Sequence, residues 1–104
     1  WPQIPYLVIT ENGAGYDDVK LDGKVDDVKR TSYIVSHLQS LQKAIAEGVP
    51  VKGYFAWSLL DNFEWAEGYA KRFGIVHVDF ETLERTPKSS FYKYKEIVAA
   101  NSAF

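Results

Sequence analysis

The first half of the chain alternates between apolar runs and an amphipathic stretch. Residues 6–10 are apolar or β-branched, which predicts a strand buried on both faces, as in a parallel sheet. Between residues 27 and 47 apolar side chains recur at helical spacing, and residues 51–57 return to a strand-like run. The order strand, helix, strand predicts a right-handed crossover between two parallel strands.

The predicted helix has one apolar stripe and recognisable ends. Asp26 or Asp27 can cap its first turn, and Gly48 after Glu47 can end it. The buried stripe is expected to consist of Ile34, Leu38, Leu41 and Ile45.

The second half has shorter and less regular elements. Residues 58–72 lack a clean period and predict a long, partly helical loop, whereas residues 73–80 predict a short strand and residues 82–85 a turn. A final helix is expected to open after Pro87 and to run to about Ala100. Its expected buried positions are Phe91, Tyr94, Ile97 and Val98.

These elements do not make a self-sufficient α/β fold. Two parallel strands and two helices can neither cover both faces of a sheet nor close a barrel, so strand edges stay unpaired. Both predicted strands nevertheless have the composition of fully buried strands. We therefore expect residues 1–104 to be one compact unit that belongs to a larger sheet, with the other strands supplied elsewhere.

The composition of the chain mainly excludes classes of partner and of binding site. A net charge of −2 gives no electrostatic reason to expect nucleic acid or an anionic membrane as a partner. The chain has no apolar run near the roughly 20 residues that cross a bilayer and no recognisable signal peptide. Zero cysteines excludes a disulfide framework and thiolate metal sites, and favours a cytoplasmic location. The acidic stretch from Asp17 to Asp27 lacks calcium-loop spacing, so a solvated loop is expected there.

Two polar clusters stand where the predicted strands end, which is where parallel α/β folds bind ligands. Glu11 follows the first strand, and from position alone it is equally well explained as a helix-facing or salt-bridged residue at a strand exit. The second cluster runs from Trp57 to Trp65 and places two indoles around two carboxylates. Indoles stack on the C–H faces of sugars and carboxylates bind their hydroxyls, although both Trp could also plug the rim of a core.

Taken together, the two clusters resemble the C-terminal signatures of glycoside hydrolase family 1, the β-glucosidase family. The resemblance runs in order along essentially the whole chain. Its segments are Ile9-Thr10-Glu11-Asn12-Gly13, residues 44–51, residues 53–56, Trp57 to Trp65, Arg72-Phe73-Gly74-Ile75, Val78-Asp79 and residues 86–90.

The resemblance implies a fold and a set of roles. The fold would be the C-terminal part, about the last two βα units, of a (β/α)8 TIM barrel. Glu11 would be the nucleophile of a retaining β-glucosidase, and Trp57 would stack under the glycone ring. Glu64 would bind hydroxyls on the O4/O6 side, Trp65 would donate to O3, and Phe73 would wall the pocket. A cis peptide is expected between Trp57 and Ser58.

The chain also departs from the family pattern. The acid/base Glu of the Asn-Glu-Pro motif is not in this chain, so the remaining barrel segments would have to supply it, in the same or another chain. The expected partner is a β-glucoside or oligosaccharide substrate, with unphosphorylated β-glucosides favoured; no cofactor and no metal are implied. His37 and His77 are expected to be surface or core residues. The competing hypothesis is a non-catalytic carbohydrate-binding or assembly fragment.

Overall fold

A computed structural model describes residues 3–104. Two strands pair in parallel, β1 (Leu7–Asn12) and β2 (Val51–Ala56), and helix α1 (Val28–Ala46) connects them. Two short strands, β3 (Val76–Val78) and β4 (Arg85–Pro87), form an antiparallel pair before helix α2 (Ser89–Ala100). The predicted parallel pairing is therefore confirmed, and Glu11 lies inside β1 rather than after it.

The helices cover one face of the parallel pair. Asn12 and Tyr54 contact the helices, since Asn12 donates to the hydroxyl of Tyr33 on α1 and the Tyr54 ring lies 6.4 Å from that of Tyr94 on α2. Because successive side chains of a strand alternate between faces, Glu11 and Phe55 point to the other side. Phe55 is 61% exposed there, so the prediction of strands buried on both faces is wrong for the segment of the chain that the structure describes.

A small apolar core lies between the helices and β3. Ile34, Ile75 and Val76 are buried at its centre, and the half-buried side chains around them are Tyr33, Leu38, Leu60, Phe91 and Tyr94. The burial predicted for the apolar faces of the two helices is confirmed near this core and wrong at the C-terminal ends of the helices. Ile45 is 46% exposed and Val98 is 63% exposed, because no element among residues 3–104 covers these ends.

Two local predictions failed because the residues concerned pair with segments outside their own turn. Asp27 occupies the N-cap position of α1 but makes no side-chain cap hydrogen bond. Its carboxylate instead accepts hydrogen bonds from Arg30 and from both the backbone N–H and the hydroxyl of Ser90 on α2. The predicted turn at 82–85 also ends early, because Arg85 begins β4, a strand that the sequence did not predict.

The long loop between β2 and β3 is largely irregular, as predicted. Its regular structure is one short 3₁₀ helix at Trp65–Glu67. The predicted strand at 73–80 shortens to β3, whose three residues are all buried. Among residues 3–104 no helix has both the length and the apolar content to cross a bilayer.

Candidate active site

The two polar clusters come together at the carboxyl ends of β1 and β2. Asn12 pairs with Ala56 in the parallel register, and the backbone N–H of Trp57 donates to the carbonyl oxygen of Asn12 at 2.8 Å. Glu11 precedes Asn12 and Trp57 follows Ala56, so both lie at the same end of neighbouring strands. The Trp57–Ser58 peptide is cis, as the family resemblance implied.

Gly13 permits the close approach of the two strand ends. A Cβ at this position would lie 1.8 Å from the carbonyl oxygen of Trp57, which no side chain tolerates. Gly15 has a similar role two residues further along the loop, because its Cβ would lie 2.6 Å from the ring of Phe73. Both glycines therefore let the backbone after β1 contact two of the predicted site residues, Trp57 and Phe73.

A hydrogen bond joins Trp57 directly to Glu64. The indole Nε1 of Trp57 donates to Oε1 of Glu64 at 3.1 Å, which leaves the second carboxylate oxygen of Glu64 free of this contact. Trp57 is 38% exposed, so part of the residue stays accessible. The interpretation of this residue as a plug in an apolar core does not describe the structure of this chain.

Trp65 follows Glu64 in the chain, and Phe73 is hydrogen-bonded through its backbone to Ser58, the residue after Trp57. Trp65 is 86% exposed and has a φ of 47°, in the left-handed region that non-glycine residues rarely adopt. Phe73 is half-buried against Gly15, and its carbonyl oxygen accepts a hydrogen bond from the backbone N–H of Ser58. The structure thus brings Glu11, Trp57 and Glu64 to one place and Phe73 to its border, whereas the Trp65 side chain extends into solvent.

The Glu11 carboxylate is exposed, and within residues 3–104 no hydrogen bond or ion pair holds it. The interpretation of Glu11 as a salt-bridged residue at a strand exit therefore has no support within this range. The hydrogen-bonding neighbours that a nucleophilic carboxylate needs are not among the described residues either.

Asn12 is a supporting residue that the sequence-based prediction missed. Its amide oxygen accepts a hydrogen bond from the Tyr54 hydroxyl at 2.8 Å, while its amide nitrogen donates to the Tyr33 hydroxyl at 3.2 Å. Burial, with smaller contributions from Tyr94 and Tyr33, raises the pKa of Tyr54 to about 12, so this hydroxyl remains a donor at neutral pH. The residue after Glu11 is thereby fixed to β2 and α1.

A buried cluster of charges, also missed, lies beneath the loop that carries Glu64. Asp61 accepts hydrogen bonds from Lys88 and Arg72, and Lys88 also donates to Asp18. Burial by itself would raise the pKa of Asp61, but these two cations outweigh it and hold that pKa below its usual value. The expectation of a solvated loop from Asp17 to Asp27 is wrong at Asp18 and at Asp27, whose side chains are almost fully buried.

The two histidines lie away from the cluster of predicted site residues. His37 is exposed on α1, where its ring stacks on Tyr33, and His77 is buried in β3. Burial and the nearby positive charge of Arg72 lower the pKa of His77. Their assignment as surface and core residues is confirmed.

Known proteins resemble the chain over nearly all of its length. A sequence model described as Glycosyl hydrolase family 1 matches residues 2–103. β-Glucosidase A of Thermotoga maritima is 58% identical over 98 residues, which cover 93% of this chain and 22% of that protein. β-Glucosidase A of Acetivibrio thermocellus is 54% identical over 98 residues, with the same coverage of 93% and 22%. A 6-phospho-β-galactosidase of Streptococcus equi subsp. zooepidemicus is 48% identical over 102 residues, which cover 98% of this chain and 22% of that protein.

Solved structures agree with the sequence relatives. The family 1 β-glucosidase of Thermotoga maritima in complex with isofagomine lactam superimposes with a TM-score of 0.92 at 56% identity, covering 94% of this chain and 23% of that one. The matched proteins are TIM barrels, which confirms the predicted fold class of a partial (β/α)8 barrel. The chain spans only 22% of the length of the relatives named above. The match over residues 2–103 shows that the chain belongs to glycosyl hydrolase family 1.

Proposed function

We propose that this chain supplies the nucleophile and part of the glycone subsite of a retaining β-glucosidase. The observation that supports the proposal most directly is the position of Glu11. It is an exposed carboxylate on the uncovered face of β1, and its neighbour Asn12 is hydrogen-bonded to the backbone of Trp57. A sugar stacked on the indole would place its anomeric carbon near this carboxylate. The similarity to two β-glucosidases at 54–58% identity agrees with this activity.

The reaction needs one group that the chain does not contain. In a retaining mechanism the Glu11 carboxylate attacks the anomeric carbon as the glycosidic C–O bond breaks and an acid protonates the leaving oxygen. Water then displaces Glu11 from the glycosyl-enzyme while the same group, now a base, takes up the proton of the water. This acid/base has to lie about 5–5.5 Å from Glu11 and to come from the remaining barrel segments. The groups that keep Glu11 ionised are expected from the same source.

The glycone subsite follows from the hydrogen bond between Trp57 and Glu64. This bond fixes the plane of the Trp57 indole, which can then stack on the C–H face of a pyranose. The second carboxylate oxygen of Glu64 is available for the hydroxyls on the O4/O6 side. Trp65, which is exposed beside it, is assigned as the donor to O3, and Phe73 as part of the pocket wall.

Glu64 also favours unphosphorylated sugars. A carboxylate at the O6 end of the ring repels a 6-phosphate, and the described residues place no cation in contact with Glu64 to offset this charge. The similarity to a 6-phospho-β-galactosidase is lower, at 48%, than the similarity to the β-glucosidases. The proposed substrates are therefore β-glucosides, with β-galactosides and β-fucosides as secondary substrates.

The test requires a complete barrel. We define the completed barrel as a chimera in which residues 1–104 replace the matching segment of Thermotoga maritima β-glucosidase A, to which the chain is 58% identical. The chimera is incubated with a 2-deoxy-2-fluoroglucoside, which slows the second step and accumulates the covalent intermediate. Peptide masses should then place the sugar on Glu11, and Glu11→Ala should abolish both labelling and hydrolysis. Glu47→Ala, which removes an exposed carboxylate at the end of α1, is the matched control and should keep full activity.

Two results would refute the proposal. One is a folded chimera that hydrolyses the glucoside without labelling on Glu11, or after Glu11→Ala. The other is a chimera that does not unfold cooperatively, because the chain would then be unable to complete a barrel of this family.

The second candidate function is a non-catalytic carbohydrate-binding or assembly fragment. The observation that favours it is that the chain lacks an acid/base and that Glu11 lacks supporting donors among residues 3–104. Sugar binding by the folded 104-residue chain, without turnover in the completed barrel, would support this function. A cytoplasmic location stays a prediction from the absence of cysteine.

A further inference from the structure

The loop that carries the proposed glycone subsite, residues 57–74, is held by few apolar contacts. Leu59, Phe63 and Trp65 are each more than half exposed, and the only regular element of the loop in the described structure is the short 3₁₀ helix. A loop of this length needs other interactions to hold Trp57 and Glu64 in a fixed arrangement, because ordering each residue costs about 1–2 kcal/mol of conformational entropy.

Six charged side chains lie under this loop and balance one another. Three carboxylates face three cations, and their side chains are at most 4% exposed except for one arginine at 19%. The carboxylates are Asp18, Asp27 and Asp61, and the cations are Arg30, Arg72 and Lys88.

Asp61 ties the two ends of the loop together. Its Oδ1 accepts from the backbone N–H of Gly74 at 3.0 Å and from Lys88 Nζ at 2.8 Å. Its Oδ2 accepts from Arg72 at 2.7 Å and from the backbone N–H of Val78 at 3.3 Å. This carboxylate lies three residues before Glu64 and four after Trp57, so its position constrains both.

Lys88 joins this carboxylate to the rest of the molecule. Its ammonium is fully buried and makes three contacts, with Asp18 Oδ2 at 2.6 Å, Asp61 Oδ1 at 2.8 Å and the Gly74 carbonyl oxygen at 2.6 Å. Three partners match the three protons that an ammonium carries. One side chain at the start of α2 therefore connects the loop after β1 with both ends of the loop after β2.

We propose that Lys88 is a positioning residue for the glycone subsite, acting through Asp61 and Gly74 on Trp57, Glu64 and Phe73. The inference rests on the proposed function, because it assigns Lys88 to the same site. Buried ion pairs add little net stability compared with well-packed apolar side chains. What this arrangement supplies is a fixed geometry between the two loops beneath the site, in addition to the backbone hydrogen bonds that pair Tyr16 with Arg72.

A neutral side chain at position 88 leaves an arginine beside every carboxylate of the cluster, with three carboxylates then facing two cations. In Lys88→Met, Asp61 keeps Arg72 at 2.7 Å and Asp18 keeps Arg30 at 2.7 Å. Met is close to Lys in length, so the three contacts of the ammonium are lost while the volume and the backbone pairing of Tyr16 with Arg72 are retained. Lys95→Met is the matched control, since Lys95 is an exposed lysine on the same helix.

The experiment is a double-mutant cycle between Lys88→Met and Glu64→Ala in the completed barrel, read as kcat/KM for a β-glucoside. Lys88→Met alone should lower kcat/KM by about 100-fold, the loss that a 1 Å misplacement can cause. In the Glu64→Ala background the same change should cost less, because one of the groups it positions is gone. Lys95→Met should change neither value. If Lys88→Met does not fold, Asp61→Asn, which keeps the side-chain shape, goes through the same cycle.

Two results would overturn the proposal. One is an equal loss from Lys88→Met with and without Glu64, which identifies a purely structural residue. The other is an unchanged kcat/KM in a folded Lys88→Met variant. Calorimetric binding of isofagomine lactam keeps this test separate from the proposed function, because binding requires no turnover. Weaker binding by Lys88→Met in a barrel that never labels on Glu11 would leave the positioning role standing while the nucleophile assignment fails.

Discussion

Gly13→Ala is the perturbation whose effect can be derived most directly from the structure. The new Cβ would lie 1.8 Å from the carbonyl oxygen of Trp57 and 2.8 Å from its carbonyl carbon. Real Cβ atoms essentially never approach another heavy atom closer than 3.0 Å, so the carbonyl oxygen has to move by at least about 1.2 Å. The obstacle is backbone, which cannot rotate aside as a side chain does. The displaced residue is the one proposed to stack under the sugar.

The expected loss is therefore larger in catalysis than in stability. Overpacking of this kind costs about 1–3 kcal/mol of folding free energy, whereas a displacement of about 1 Å at a site can reduce the rate about 100-fold. The assay compares kcat/KM for a β-glucoside with the free energy of unfolding in denaturant, both in the completed barrel. Gly53→Ala is the control, because it adds the same methyl group to β2 but meets only side-chain atoms, of which the nearest is a methyl of Val8 at 3.2 Å. Equal effects of the two substitutions on kcat/KM would refute the reasoning.

Four further predictions follow from burial, charge and exposure. Ile34→Ala should lower the free energy of unfolding of the completed barrel by about 2–5 kcal/mol, whereas Val28→Ala, at a position 60% exposed on the same helix, should change it by less than about 0.5 kcal/mol in a denaturant titration. Because the pKa of His77 is lowered in the folded state, the unfolded state takes up its proton first, so the free energy of unfolding should fall as the pH drops below about 6.5. His77→Gln should reduce this pH dependence, and an unchanged dependence would contradict the argument. Glu64→Ala should raise KM for a β-glucoside and have little effect on the melting temperature. Unaltered kinetics would remove Glu64 from the site. The isolated chain should self-associate in analytical ultracentrifugation, and a monodisperse, cooperatively unfolding monomer would contradict the partial-barrel interpretation.

Local pattern was enough to predict the elements that carry the proposed site. Helix α1 was expected at residues 27–47 and lies at Val28–Ala46, because 19 residues of helical spacing leave little ambiguity. The adjacency of Glu11 and Trp57 followed from two buried-type strands and the rule that parallel strands present their carboxyl ends at one edge. The cis peptide after Trp57 could not come from pattern; it followed only from the family resemblance.

The charge cluster could not be predicted because its partners are far apart in the sequence. Lys88 lies 70 residues from Asp18 and 27 from Asp61, and Ser90 lies 63 from Asp27. An aspartate in a polar loop has the same local pattern whether it is solvated or buried against a distant cation. The stretch from Asp17 to Asp27 was therefore expected to be solvated, which is the commoner outcome for such composition.

The uncovered face of β1 and β2 links the incomplete fold to the incomplete site. Glu11 and Phe55 both point away from the helices, and Phe55 is 61% exposed there. In a (β/α)8 barrel this face is the interior, where side chains from alternate strands fill the core below and active-site groups project from the strand ends above. The strands that would bury Phe55 are therefore the same strands whose ends would bring the acid/base and the donors for Glu11. Burial of this apolar face and catalytic competence should consequently appear together when the missing units are supplied, since one set of strands provides both.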